Sequence, residues 1–489
     1  NNATTYTADL TIDDGADILT ASKGTDNVRL GENAGAAIAS GGNNNVAIGK
    51  NALASNTTAD NSTAVGFEAG TNSTGAQNTF FGRQSGKGVT SGTESVFIGN
   101  GAGRDGTQTG DYNIGIGSVS LNALTSGHSN IAIGRDSLGA NDTGVKNVVV
   151  GYQAADAITD GEMNVAIGNE ALSAESGGDK NVAIGASALK IQNTNNAAFN
   201  TAVGTFAGTD LTDGERNTFI GGSAGANVTT ADDVVCVGYN AGGGATMTGH
   251  DNVLVGKDAG ESLTSGGQNT YIGKDCATSA ANGGANVIIG FQAGTSTTAL
   301  TSGGTNTLIG SYTHASTVDA SSAVGLGHSL SCATGYATIG HGGSDIRAAH
   351  GNTTWSTVSD ERYKKDIVDS TAGLSFINDL QPKTFKYKNL GELPDTFSSY
   401  EEGSTDVFKS DKTQHGFIAQ EVKTAIEAHS EIKDGFMLWD SRDDGSQEIA
   451  ETALIPILTK AVQELSAKND ALETENTAIK ARLDALEAG

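Results

Sequence analysis

Asn164-Val-Ala-Ile-Gly-Asn-Glu-Ala-Leu-Ser-Ala-Glu-Ser-Gly-Gly-Asp-Lys180 is followed at once by a second Asn-Val-Ala-Ile-Gly, residues 181–185. The same signature stands at residues 45–49 and, with Ile for Val, at 130–134. Variant forms keep the two ends and change the middle: Asn78-Thr-Phe-Phe-Gly82, Asn217-Thr-Phe-Ile-Gly221, Asn269-Thr-Tyr-Ile-Gly273 and Asn306-Thr-Leu-Ile-Gly310. Nineteen such units run from anchor glycine Gly31 to Gly340, most often 17 residues apart. A unit this short cannot bury its own apolar face, whereas stacked units can, which is the logic of a solenoid.

Each position of the unit has a physical reading. The apolar triplet is a short strand, and its β-branched residues suit a buried, pleated surface. The closing glycine permits a positive φ or a close backbone approach. Three residues later a small residue recurs (Ala52, Ala69, Ala102, Ala171, Ala188, Ala259), as expected where neighbouring coils or chains come close. A second glycine, as in Thr-Ser-Gly, marks the return turn. The leading Asn is placed to form ladders along the stack. With one strand spacing of about 4.8 Å per coil, nineteen coils make a shaft on the order of 90 Å long.

Outward from the repeat, the texture changes near residue 359. Of 68 glycines, 61 precede Ser359 and no proline does, while Pro382, Pro394 and Pro456 follow it. Charged residues number 44 in the first 358 positions and 41 in the last 131, so two kinds of polymer meet there. We expect an N-terminal connector at 1–26, the repetitive shaft at 27–340, a linker at 341–358 and a separate module at 359–489. The chain begins at Asn1 without a Met and reads as a fragment or processed product whose attachment region lies elsewhere.

A net charge of −27 without a basic stripe argues against phosphate-mediated nucleic-acid binding. No apolar run reaches the roughly 18–20 residues of a membrane helix, so no membrane insertion is expected. Cys236, Cys276 and Cys332 have neither disulfide nor zinc spacing, and the eight histidines are scattered. No metal and no cofactor are expected. The many Gly-x-x-x-Gly matches follow from the repeat and lack the Walker lysine. Glycosidases need a paired-carboxylate site, whereas Asp13, Asp14, Asp232 and Asp233 fall in variable turns.

In the last module, residues 376–387 suggest a short helix, a turn and a strand, and residues 415–422 a strand running into a helix. From Leu458 a heptad sets in: Leu458, Leu465, Leu472, Ile479 and Leu486 fall seven apart, with Val462, Asn469, Asn476 and Leu483 between them. That pattern predicts a coiled coil over 458–487, with the two asparagines setting register and partner number. The alternative is an amphipathic helix packed on its own domain.

Two resemblances follow from these motifs. The Val-Ala-Ile-Gly units at 27–340 resemble the head repeats of YadA-like trimeric adhesins, β-rolls that associate in threes, although the unit here is longer. Ser359-Asp-Glu-Arg-Tyr-Lys-Lys-Asp-Ile367, Leu380-Gln-Pro382, Gly416-Phe-Ile-Ala-Gln-Glu421 and Ala453-Leu-Ile-Pro-Ile-Leu458 are together similar to the S74 peptidase family. Its members are intramolecular chaperones at the ends of phage tail fibres, spikes and endosialidases. They trimerise, guide folding of the fibre ahead of them and are then cut off before the motif serine.

The resemblance implies a mainly β fold: a trimeric β-roll or β-helix shaft, then a small α/β chaperone domain ending in a trimeric coiled coil. It makes Ser359 the nucleophile, Lys364 its general base, and Val358–Ser359 the scissile bond. The only enzymatic activity expected is a single self-cleavage. Serine is a weak nucleophile until a base takes its proton, and a desolvated lysine can serve. Spaced i, i+5, the two side chains lie on different faces of a regular helix, so they must meet across a turn or between protomers. We favour a geometry completed only in the assembled trimer. Read locally, Ser359 before Asp360 and Glu361 is a helix N-cap; His415 could orient a catalytic group, but a structural histidine at a strand end is the favoured reading.

The expected partners are two further copies of the chain, other virion tail proteins and a host-surface glycan or protein, met by loops such as 104–112, 190–199 and 240–251. The expected location is the virion tail, after assembly in the host cytoplasm. Competing readings are a bacterial trimeric surface adhesin, which should end in a membrane β-barrel, and a polysaccharide-degrading tailspike.

Overall fold

A computed structural model describes residues 24–194, 197–295, 300–434 and 436–488. The chain divides into two compact units, Asn1–Val358 and Ser359–Gly489. Most of the connector expected at 1–26 lies outside the described residues, as do two positions of the 190–199 loop.

The first unit is a β-solenoid. Its main sheet has 21 strands, of which the last two, Ser344–Ala349 and Ser356–Thr357, are antiparallel additions. The other nineteen run parallel, one from each repeat, beginning with Val28–Leu30 and ending with Tyr336–His341. Neighbouring strands stay in register, Ala47 on Ala64, Ala64 on Phe80, Phe80 on Phe97.

Each triplet buries one face of its strand. Only the middle residue points inward: Ala47, Ala64, Phe80 and Phe97 are fully buried, and the Phe80 and Phe97 rings stack 6.3 Å apart. The flanking residues form two outward columns, in which Ile133, Ile167 and Ile272 are each 37% exposed. With a side-chain period of two, a three-residue strand can turn only its centre or its ends to one face. The small recurring residues complete the interior: Ala52, Ala69, Ala102, Ala171, Ala188 and Ala259 have no exposure. A Leu or Phe on this interior contributes about 1.5–3 kcal/mol by burial.

The leading asparagines form the expected ladder, chiefly through the backbone. Asn147 Oδ1 accepts the backbone N–H of Asn164 at 2.9 Å, and Asn130 Oδ1 accepts that of Asn147 at 3.0 Å. Asn147 Nδ2 donates to the Gly161 carbonyl at 2.8 Å. Each amide thus satisfies buried backbone groups at the turn where the sheet's own ladder is interrupted. The anchor glycines are sterically required. Gly49 has φ +125°, and a Cβ there would stand 2.4 Å from the Gly66 carbonyl oxygen of the next coil.

Cys236, Cys276 and Cys332 are free and buried core filler. Burial pushes the Cys276 thiol up to about 12 and that of Cys332 up to about 11. Among the described residues of this unit, one carboxyl side chain interrupts the interior. Glu175 is fully buried, and its carboxylate accepts N–H groups from Gly178 at 2.7 Å, Ser176 at 3.0 Å and the Gln192 amide at 3.0 Å. Burial raises its pKa against the pull of these donors.

The linker expected at 341–358 is structured. Strand Ser344–Ala349 folds back antiparallel on Tyr336–His341 across Gly342 and Gly343, and Ser356–Thr357 pairs with Ile346 and Arg347. A glycine pair between β-prone residues is a hairpin signal, and here the hairpin covers the open edge of the last coil.

The second unit is a small α/β module. It contains helices α1 (Leu374–Asp379), α2 (Ala419–Ala428) and α3 (Leu454–Glu487). Two small antiparallel pairs, Lys383–Phe385 with Gln414–Gly416 and Trp439–Ser441 with Gln447–Ile449, accompany them. Phe376 lies at the centre of a core with Leu380, Val422, Ile426, Leu438, Leu454 and Ile457. Helix α3 serves two environments. Leu454, Ile457 and Ala461 are buried on the module, while Leu465, Leu472, Ile479, Leu483 and Leu486 are all at least half exposed. No helix among the described residues is long and apolar enough to cross a membrane.

Candidate functional site

The site is built on one tight turn. Residues 361–363 form a single 3-10 turn, Glu361–Tyr363, capped by Asp360, whose carboxylate accepts the Arg362 backbone N–H at 2.9 Å. The same carboxylate is gripped by the Arg362 guanidinium at 2.9 and 2.6 Å. That fork holds the Asp360 carboxyl below the usual carboxylate range. After the turn, Lys364 becomes extended, with φ −115° and ψ 150°. The chain therefore doubles back, and Lys364 Nζ donates to Ser359 Oγ at 2.7 Å.

Two sequence-based expectations change here. The cap of this turn is Asp360, so Ser359 keeps its hydroxyl free of the backbone. Ser and Asp are both strong caps, and the residue closer to the turn takes the position. The Ser359–Lys364 contact also forms within one chain, across a turn, and does not wait for a second copy.

Burial is what this arrangement lacks. Ser359 and Lys364 are exposed, as are Val358 at 50%, Tyr363 at 78%, Ile367 at 61% and Val368 at 85%. A lysine that serves as a base is ordinarily shielded from water, whereas the Ser359–Lys364 pair is open to solvent. His415 stands in strand Gln414–Gly416 opposite Thr384 and is exposed. Among the described residues, no group of three or more His, Cys, Asp and Glu converges as a metal site.

Two contacts that sequence reasoning missed hold the module together. His429, packed edge-on against Phe376, places Nε2 2.8 Å from Asp379 and Nδ1 3.2 Å from Glu431. Asp379 first, and then Glu431, raise its pKa and favour the imidazolium. The second is Glu464 of α3, which accepts the Leu374 backbone N–H at 2.8 Å. It satisfies the start of α1, where the Gly373 cap has no side chain to offer. Neither was legible in the sequence, since Asp379 lies 50 residues from His429 and Leu374 lies 90 from Glu464.

No curated protein sequence matches the chain. Residues 359–430, beginning at Ser359, match the Peptidase_S74 family, described as the chaperone of endosialidase.

Proposed function

We propose that the chain is the distal part of a trimeric phage tail fibre or spike, in which residues 1–358 are the fibre and 359–489 a chaperone that cuts itself off. One observation carries this reading: the family match opens at Ser359, where the hydroxyl already holds Lys364 at 2.7 Å. The boundary between the compact units falls at the same bond, between Val358 and Ser359. Association is supported by two unpartnered apolar features, the outward columns of the solenoid and the heptad face of α3. Asn469 and Asn476 at heptad core positions suit a defined partner number. Host-receptor binding by the shaft loops, contact with other tail proteins and assembly in the host cytoplasm belong to the same proposal.

The chemistry follows from the neighbouring positions of nucleophile and bond. Ser359 Oγ attacks the Val358 carbonyl carbon through a five-membered ring, and Lys364 Nζ, as a neutral amine, takes the hydroxyl proton. The C–N bond then breaks, and the lysine returns the proton to the departing Ser359 amine. An ester now links Val358 to Ser359 Oγ. Water hydrolyses it, leaving a carboxylate on Val358 and a free amine and hydroxyl on Ser359. A tethered bond needs no substrate pocket, because the chain supplies proximity. Two further copies contribute burial of the exposed dyad, which ties cleavage to assembly.

Intact mass of freshly purified full-length protein, beside Ser359→Ala, tests the reading. The expected result is one fragment ending at Val358 and one starting at Ser359, in the wild type only. Intact chains in both samples, under conditions where trimers form, overturn it and leave the module a permanent part of the protein.

A further inference from the structure

Histidines that look scattered in the sequence are brought together at the end of the solenoid. His328 and His341 each follow an anchor glycine, on adjacent parallel strands, and are register partners. Their rings stack 4.8 Å apart with planes 9° from parallel, and both side chains are exposed. On its other side, His328 meets the ring of Tyr312 edge-on at 5.7 Å. Its Nδ1 lies 2.9 Å from Ser329 Oγ. The ring thus has two aromatic neighbours and one contact at a nitrogen.

We propose that His328 and His341 form a two-histidine site for a borderline transition-metal dication such as Zn2+, Ni2+ or Cu2+. Neutral imidazole is the protein ligand these ions prefer. Two nitrogens about 2.1 Å from one ion stand roughly 3–3.5 Å apart, and the ion lies in the plane of each imidazole, so the two exposed rings turn out of their stack to aim both nitrogens at one point. In the tautomer with Nδ1 protonated, His328 donates to Ser329 Oγ and Nε2 is the ligating atom. Such an outer hydrogen bond is what commonly orients a metal-binding histidine. Water, or the same pair on another copy, fills the remaining coordination positions. Ser329 is a positioning residue and the two histidines are the ligands.

The test uses the full chain with Ni2+ or Cu2+ as the only added ligand. Ni2+ affinity is read by equilibrium dialysis, and the number of nitrogen ligands by the hyperfine pattern of bound Cu2+. His328→Ala and His341→Ala should each lower Ni2+ affinity at least about tenfold, since losing even an outer partner of a ligand costs roughly 10–100-fold. Each should also leave one imidazole nitrogen on Cu2+ in place of two. Ser329→Ala, which keeps both ligands, should give a smaller fall and retain both nitrogens; it also serves if an alanine at 328 or 341 disturbs the fold. Wild-type affinity in both histidine variants, an equal loss in His250→Ala, or a single nitrogen in the wild type would each sink the proposal.

Discussion

Replacing Asn147 by Ala tests whether the asparagine ladder holds the coils together. The side chain is fully buried and works in two directions along the stack. Its Oδ1 is the acceptor for the Asn164 backbone N–H at 2.9 Å, and its Nδ2 is the donor to the Gly161 carbonyl at 2.8 Å. Alanine leaves both backbone groups buried and unmatched. At about 1–3 kcal/mol for each stranded group, the coil around residues 147–164 loses roughly 2–6 kcal/mol. Solenoid coils lean mainly on their neighbours, so the loss should be read locally as well as globally. Hydrogen exchange on the full chain should show faster exchange in peptides spanning 140–170, with peptides beyond about two coils unchanged. Lys146→Ala, one residue away on the surface, is the control and should shift stability by no more than about 0.5 kcal/mol. If Asn147→Ala exchanges and melts like Lys146→Ala, the ladder is decoration, and the stack is held by its strands and interior alone.

Two further substitutions follow from the same geometry. Gly151→Ala puts a Cβ 2.1 Å from the Gly168 carbonyl oxygen at φ +152°, whereas Gly351→Ala at φ +80° meets nothing within 4 Å. Thermal melts should show a loss on the order of 3–5 kcal/mol for the first and only about 1–2 kcal/mol of backbone strain for the second. In the C-terminal module, the raised pKa of His429 makes its ion pairs with Asp379 and Glu431 fully stabilising below the unfolded-state value and lost as pH rises through the folded-state value. His429→Gln should therefore cost roughly 1–3 kcal/mol at acidic pH and progressively less as pH rises. A stability difference that does not change with pH would show that His429 is held neutral.

The solenoid was legible because its rule is restated nineteen times, so the anchor glycines and leading asparagines could be recognised by position. What a single repeat cannot disclose is which face of a three-residue strand turns inward. Val-Ala-Ile and Thr-Phe-Ile carry different centres, and their β-branched ends look more like core than Ala47 does. The closing hairpin was readable in principle from Gly342-Gly343, but its polar surroundings disguised it as a linker. At the site, the spacing of Ser359 and Lys364 already excluded a regular helix. The choice between Ser359 and Asp360 as cap depended on where a three-residue turn starts, which propensity does not fix to one residue. Contacts such as Glu464 with Leu374, or His328 with His341, depend on tertiary placement. The second pair lies 13 residues apart only because the last coil is shorter than the rest.

The position of the proposed cut also fits the needs of a parallel stack. Its last coil exposes an edge of unpaired backbone groups that invites pairing with other chains. Here Ser344–Ala349 pairs with Tyr336–His341, and Ser356–Thr357 adds to it, so the edge is covered by the chain's own residues. The final sheet residue is Thr357, one position before Val358. Cleavage after Val358 therefore removes no strand from the solenoid and no residue from its interior. On the other side, Ser359, the Phe376 core and α3 all remain together in the departing module. A cut several residues earlier would strip the edge cover, and one several residues later would leave the dyad's own turn on the fibre. The Val358–Ser359 bond is thus where the two units can part with each keeping its core, as the proposed cleavage requires.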